Sequence, residues 1–182
     1  MKQVVVIAHD PAWLDTFHAL RARLKPALAG IASRIEHVGS TAIPGLPAKP
    51  IVDLDVVVGE AVDVPRAVQA LEGLGYRHRG DLGIVGREAF HAPADSTGHH
   101  LYVCVEGCLA LRNHLAVRDV LLSDGELARE YGAKKLELAR RFPNDMDAYV
   151  EGKSEVLERI LARGGLGQAD LATIERANRR PQ

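Results

Sequence analysis

Residues 36–58 read EHVGSTAIPGLPAKPIVDLDVVV, and several residues in them have types and spacing that can do chemistry. In a strand, side chains alternate between faces. Ile51, Asp53, Asp55 and Val57 therefore share one face of IVDLDVVV, while Val52, Leu54, Val56 and Val58 share the other. The second face is wholly apolar and belongs on a core, which turns both carboxylates the opposite way. Two such groups, about 7 Å apart along a strand, repel when both are ionised. A divalent cation between them removes that cost, and Mg²⁺ takes oxygen ligands of this kind. Taken alone, a DLD is more often two acids facing water, or paired with Lys49 and an arginine. The preceding Gly39-Ser40 alters that balance. A glycine lets backbone N–H groups approach a ligand, and the serine hydroxyl adds a donor, so the turn can cradle phosphate oxygens. If the two segments are neighbouring strands, phosphate donors lie beside cation-binding carboxylates. Phosphoryl and nucleotidyl transfer need that pairing.

The elements that must position these groups follow from the chain pattern. Asp10-Pro11 starts a helix, a capping side chain followed by proline at the first helical position. Trp13, Leu14, Phe17, Leu20, Leu24 and Leu28 recur at helical spacing, and Pro26 shortens the helix near its end. A strand is expected around Ile35 to Val38, leading into Gly39-Ser40. The loop TAIPGLPAKP leads to IVDLDVVV, whose β-branched content marks a strand. Val64 to Leu74 reads as a helix ended by Gly75, and Tyr76 to Gly86 as irregular. REAFHA and HHLYVCV read as strands joined by APADSTG. Beyond Leu109 the pattern turns helical: LALRNHLAVRDVLL, ELAREYGAKKLELARRF and DAYVEGKSEVLERILA are three amphipathic helices, the last stopped by Gly164-Gly165. A short helix followed by a frayed ERANRRPQ is expected in the tail. The expected class is α/β (α+β), a mixed sheet core over residues 1–107 with a helical appendage over 108–165. Together these form one domain, 1–165, followed by a short tail, 166–182.

Composition narrows the partners. The 182 residues carry a formal net charge of −1 and are 47% hydrophobic, which suits one ordinary core and no global field for nucleic acid or membrane. A local anion site remains open. The only cysteines, Cys104 and Cys108 in CVEGC, make a poor zinc signal and read as thiols in a reducing cytoplasm. No stretch approaches the roughly 20 apolar residues that span a bilayer, and Val4 to Ala8 is too short for a signal sequence. The expectation is a cytoplasmic protein, with a homo-oligomer left open.

HVGSTAIPGLPAKPIVDLDV, with twelve residues between Gly-Ser and Asp-x-Asp, resembles the nucleotidyltransferase superfamily and, more narrowly, the GrpB family, some of whose members are fused to dephospho-CoA kinase. GIVGREAF, HHLYV, RNHLAVRDVL, YGAKKLELA and DMDAYVEGKSEVL continue the likeness in order. The resemblance implies a nucleotidyltransferase-like sheet that binds a nucleoside triphosphate with Mg²⁺ or Mn²⁺. Gly39 and Ser40 then hold phosphates, and Asp53 and Asp55 are catalytic and hold metal. Nucleotidyltransferases usually carry a third acid on a later strand, but HHLYVCV has none before Glu106. His99 or His100 can supply an imidazole ligand instead, a donor that suits Mn²⁺ or Zn²⁺ better than Mg²⁺; both also read as structural. Tyr102 stands where the family pattern has a histidine. Glu36, Glu88 and Asp95 are further stand-ins that spacing does not separate.

Lys49 either neutralises phosphate or pairs with Asp53. Arg87 either enters the cleft or is solvated, and His37 either braces the turn or touches ligand. Arg118, a further candidate to bind phosphate, shares a helix face with His114. Lys135, Tyr149 and Lys153 match family blocks on the appendage and are candidates to grip a triphosphate, against the common alternative of solvated charges. The leading expectation is nucleotidyl transfer to an unknown acceptor. A non-catalytic nucleotide- or ligand-binding regulatory module is the alternative. A metal phosphohydrolase using His91, His99 and His100 is a third reading, if those side chains converge.

Overall fold

A computed structural model describes residues 3–178. IVDLDVVV becomes β2 (Val52–Val58), in the interior of a five-stranded sheet. β1 (Ala32–Val38) runs antiparallel to β2 on one side, and β5 (His99–Val105) lies parallel to it on the other. β4 (Arg87–His91) follows antiparallel to β5, and the two-residue β3 (Arg77–His78) forms the edge, giving the order β1-β2-β5-β4-β3. The mixed α/β class read from the sequence is the one observed.

The face carrying Val52, Leu54, Val56 and Val58 is covered by α1 (Ala12–Leu24) and α2 (Val64–Glu72). Trp13, Phe17, Leu20 and Leu24 of α1 are all buried there. Leu14, expected on the same stripe, is 51% exposed. It stands one residue, about 100°, away from Trp13 around a helix and so falls off the face that Trp13 and Phe17 define. Asp10 starts the helix as expected, its Oδ1 accepting from Ala12 N at 2.9 Å.

On the opposite face, α3 (Leu109–Ser123) lies over the ends of β2 and β5, where Leu111 meets Val57 and Cys104. α4 (Gly125–Arg141) starts at Asp124, whose carboxylate accepts from Glu126 N and Leu127 N. DAYVEGKSEVLERILA, read as one helix, is two: α5 (Met146–Glu151) and α6 (Ser154–Arg163), separated at Gly152. A Cβ on Gly152 would lie 2.4 Å from Leu138 Cδ2, so the chain passes close to α4 there. α7 (Gln168–Asn178) follows, tied to α3 by Arg112–Asp170 at 2.6 Å. The final residues of ERANRRPQ, 179–182, lie outside the described residues. Among the described residues no helix is long and apolar enough to cross a membrane.

The proline-rich loop is not a surface excursion. Thr41, Ile43, Leu46 and Ala48 are buried, and Ile43 and Leu46 pack with residues of α3, α4 and α6. This segment is the apolar joint between the sheet and the C-terminal helices.

Candidate active site

The site begins where β1 ends. Val38 pairs with Asp53 and Glu36 with Asp55, so Gly39-Ser40 turns away beside the first carboxylate. Gly39 has φ +71, in the left-handed region that glycine tolerates. A Cβ built on it would lie 2.3 Å from Asp53 Oδ2, a second and independent reason for glycine. Ser40 opens a short 3₁₀ turn and interacts with the hydroxyl of Tyr131 from α4. Burial pushes that phenol above its ordinary range.

The alternation read in the sequence holds, and Asp53 and Asp55 share the face opposite the α1–α2 core. Asp55 is fully buried. Its Oδ2 accepts from His114 Nδ1 of α3 at 2.8 Å, and its Oδ1 has no hydrogen-bond partner. Burial pulls the His114 pKa down, but the Asp55 carboxylate outweighs it and leaves the imidazole above its ordinary value. Asp53, more open, has its Oδ1 2.8 Å from His100 Nδ1. Thus His100 sits against Asp53, while Tyr102 stands in register beside Asp55 on β5.

Three lysines cluster beside the carboxylates: Lys135 and Lys153 both feel the Asp53 charge, and Lys49 acts on each of them. Lys135 is 2% exposed, and its Nζ has no hydrogen-bond partner. It lies 4.9 Å from the Tyr131 ring centroid. Burial, then the charges of Lys153 and Lys49, pull its pKa down to about 7, with Asp53 opposing. Lys153 lies 4.5 Å from the Tyr149 ring centroid, so that pair survives the break at Gly152. Burial and Lys49 bring Lys153 to about 8, and burial pushes Tyr149 up to about 12. Lys49 Nζ lies 3.9 Å from Met146 Sδ.

The other candidates divide cleanly. Arg87 lies on the carboxylate face, its guanidinium 4.7 Å from the Tyr102 ring centroid and its Nε buried without a partner. Arg118 is committed to the protein: it pairs with Glu36 at 2.6 Å and with Asp119, and donates to the His37 carbonyl at 3.3 Å. That contact braces the turn. His37 itself stacks on Phe17 and lies 3.1 Å from Thr41, and burial lowers its pKa to about 4. Glu36 is on the carboxylate face but is held by Arg34 and Arg118. Glu88 bonds His78 at 2.7 Å on the other face, and Asp95 is exposed in the β4–β5 turn.

His91, His99 and His100 do not converge. His99 is buried against the Tyr76 hydroxyl at 2.8 Å on the core face, whereas His100 points to Asp53 and His91 is exposed on β4. Among the described residues no group of three or more His, Cys, Asp or Glu is arranged to hold a metal ion. Sequence reasoning missed His114 as the partner of Asp55 and Tyr131 as the partner of Ser40. The four-residue spacing of His114 and Arg118 was the available signal, since both side chains descend from α3 onto this face.

The family model described as "GrpB protein" matches residues 3–163. A Pseudomonas aeruginosa relative, the UPF0157 protein PA4798, is 40% identical over 163 residues, covering 88% of this chain and 67% of that one. The Bacillus subtilis UPF0157 protein YqkA is 32% identical over 154 residues. That alignment takes in 85% of this chain, which spans only 45% of YqkA. The crystal structure of the conserved protein GrpB from Enterococcus faecalis superposes with a TM-score of 0.77 at 29% identity, covering 89% of this chain and all of that one.

Proposed function

The chain belongs to the GrpB family, and from that premise we propose that it is a metal-dependent nucleotidyltransferase acting on a nucleoside triphosphate. The observation that carries this reading is the juxtaposition of Asp53 and Asp55 with Ser40 and the group of Lys49, Lys135 and Lys153. Lys135 keeps a buried, unpartnered ammonium facing the carboxylates. Burying such a group without a partner is costly, and an anion between Lys135, Lys153 and Lys49 would repay that cost.

The paired carboxylates support a divalent cation as the ion bound here. Asp55 Oδ1 is buried with no partner, and Mg²⁺ characteristically takes one or two carboxylates and completes its shell with water and substrate phosphates. Asp53 and Asp55 would hold it with His100 alongside, a nitrogen neighbour that favours Mn²⁺. Bound there, it would neutralise charge on the transferring phosphate.

The protein's own groups then act as positioners. The Gly39-Ser40 turn and the three lysines hold the β- and γ-phosphates, and His114 fixes the rotamer of Asp55. An acceptor hydroxyl oxygen bonds to the α-phosphorus while the α-phosphorus–bridging oxygen bond breaks. Pyrophosphate departs with that electron pair toward the lysines, and the hydroxyl proton passes to bulk water.

The test is pyrophosphate release from labelled nucleoside triphosphates with Mg²⁺ or Mn²⁺ across candidate acceptors. Release that falls to background in Asp53→Asn supports the enzyme. One observation favours the second reading, a nucleotide-binding regulatory module: β5, the strand on which a third acid is expected, puts Tyr102 beside Asp55 and carries no acid before Glu106. Tight binding with no release for any acceptor would select that reading.

A further inference from the structure

The carboxylates lie between two positive regions, and the second is not on the lysine side. Beyond β5 the same sheet face continues over β4 and β3. Arg87 pairs in register with Cys104, and Ala89 with Tyr102; Arg77 pairs with His91, and Arg79 N donates to the Ala89 carbonyl. Side chains at Arg77, Arg79, Arg87 and Tyr102 therefore point to the face that holds Asp53 and Asp55. The electrostatics agree: Tyr102, shifted chiefly by burial, feels both aspartates and both Arg87 and Arg79, so it stands at the boundary between the two charges. None of the three arginines has an acidic partner among the described residues.

In-line displacement fixes what this strip faces. Attacking and leaving oxygens lie on opposite sides of the phosphorus. If pyrophosphate leaves toward Lys135, Lys153 and Lys49, the nucleophile must enter from the side of β5, β4 and β3. We propose that this strip is the acceptor site and that it takes a small or short acceptor carrying a phosphate in addition to its reacting hydroxyl. This deepens the nucleotidyltransferase reading and rests on it for the direction of attack. At about 4.8 Å between strands, β4 lies roughly 10 Å from β2, which sets the span between the acceptor's hydroxyl and its phosphate. The guanidiniums bind that phosphate through paired N–H donors, and Arg87 is held in place over the Tyr102 ring. The balanced net charge of −1 favours a short acceptor over a long polynucleotide, because a single strip contacts few phosphates.

Two probes separate the sources of such a phosphate, a 5′-phosphorylated diribonucleotide and sorbitol 6-phosphate, each long enough to reach across two strand spacings and each paired with its dephosphorylated counterpart. They are titrated without nucleotide against the wild type and Arg77→Ala/Arg79→Ala, following backbone amide shifts. Both arginines are exposed, so the variant keeps its fold, checked by circular dichroism. At least one phosphorylated probe is expected to shift amides of 77–91 and 99–103 at millimolar concentration. Its affinity is expected to fall about tenfold in the variant, and the dephosphorylated partner is expected to bind far more weakly. The probe that binds identifies an oligonucleotide end or a phosphorylated small molecule. Failure of both probes to shift those amides, or binding unchanged in the variant, overturns the proposal. A separate titration with a non-hydrolysable triphosphate reads the lysine side alone: loss of that binding, with the probe result intact, counts against the nucleotide site and not against the strip.

Discussion

Lys135 is the residue whose chemistry is most exposed to test. Its ammonium lies buried over Tyr131 with no hydrogen-bond partner, and burial with two lysine neighbours holds its pKa near 7, against 10.5 in the open chain. The folded protein therefore binds fewer protons at this site than the unfolded chain between those values, and the site's penalty on stability eases as pH rises through that window. An anion placed among the lysines acts in the opposite sense, because it favours the charged forms and raises their pKa. Binding then takes up protons. Affinity for a non-hydrolysable nucleoside triphosphate is level below about pH 7 and falls above it, by about tenfold or more between pH 7 and 9 once Lys153, near 8, also titrates. Calorimetry in buffers of different ionisation enthalpy measures both the affinity and the proton uptake. Lys135→Met is expected to bind more weakly at pH 6.5 and to flatten the profile. A pH-independent wild type would remove Lys135 from the anion site.

At the scale of elements, the close approach of α4 to the proline-rich loop sets where Lys135 and Tyr131 stand. Gly132 lies between that loop and the helix: a Cβ there would meet Pro47 Cδ at 2.9 Å and Leu46 Cδ1 at 3.3 Å. Alanine gains about 1 kcal/mol of helix propensity over glycine, which offsets part of the contact with the stiff proline ring. Valine has no such margin, and overpacking of this kind costs about 1–3 kcal/mol. Gly132→Val is expected to lower Tm by about 2–10 °C for a chain of this size. It is also expected to weaken nucleotide binding, because α4 carries Lys135 away from Ser40; thermal unfolding and a binding titration check the two effects. The sequence showed α4 by its period and β2 by its β-branched run, and alternation along β2 put Asp53 and Asp55 on one face. It did not show β3, since two residues carry no pattern, and Arg77 within it and Arg79 beside it went unplaced. Nor did it show the helix break at Gly152, a residue that Leu138 of another helix closely approaches. A local pattern cannot report a contact made across the fold.

At the scale of the molecule, the carboxylates belong to the sheet and the lysines to the loop and helices packed on it, so a ligand touching both couples the two layers. His114 and Arg118 reach down from α3 to Asp55 and to the turn, tying that helix to the sheet side. The lysine side carries the cost of burial and, after it, mutual repulsion, and both lower the values of Lys135 and Lys153. A nucleoside triphosphate with Mn²⁺ relieves that repulsion and bridges the cleft, and a ligand that binds only the folded state stabilises it by mass action. At a concentration of one hundred times Kd the gain is about 2.7 kcal/mol, or an increase in Tm of about 5–10 °C. Differential scanning calorimetry is expected to show that rise with Mn²⁺ and nucleotide together, and most of it lost when EDTA replaces the metal. Asp53→Asn removes the metal side of the bridge and Lys135→Met the phosphate side, so each alone should abolish most of the shift. A rise undiminished by EDTA and by Asp53→Asn would mean that the lysines hold the anion without the carboxylates, and the two halves of the cleft would then not form one site.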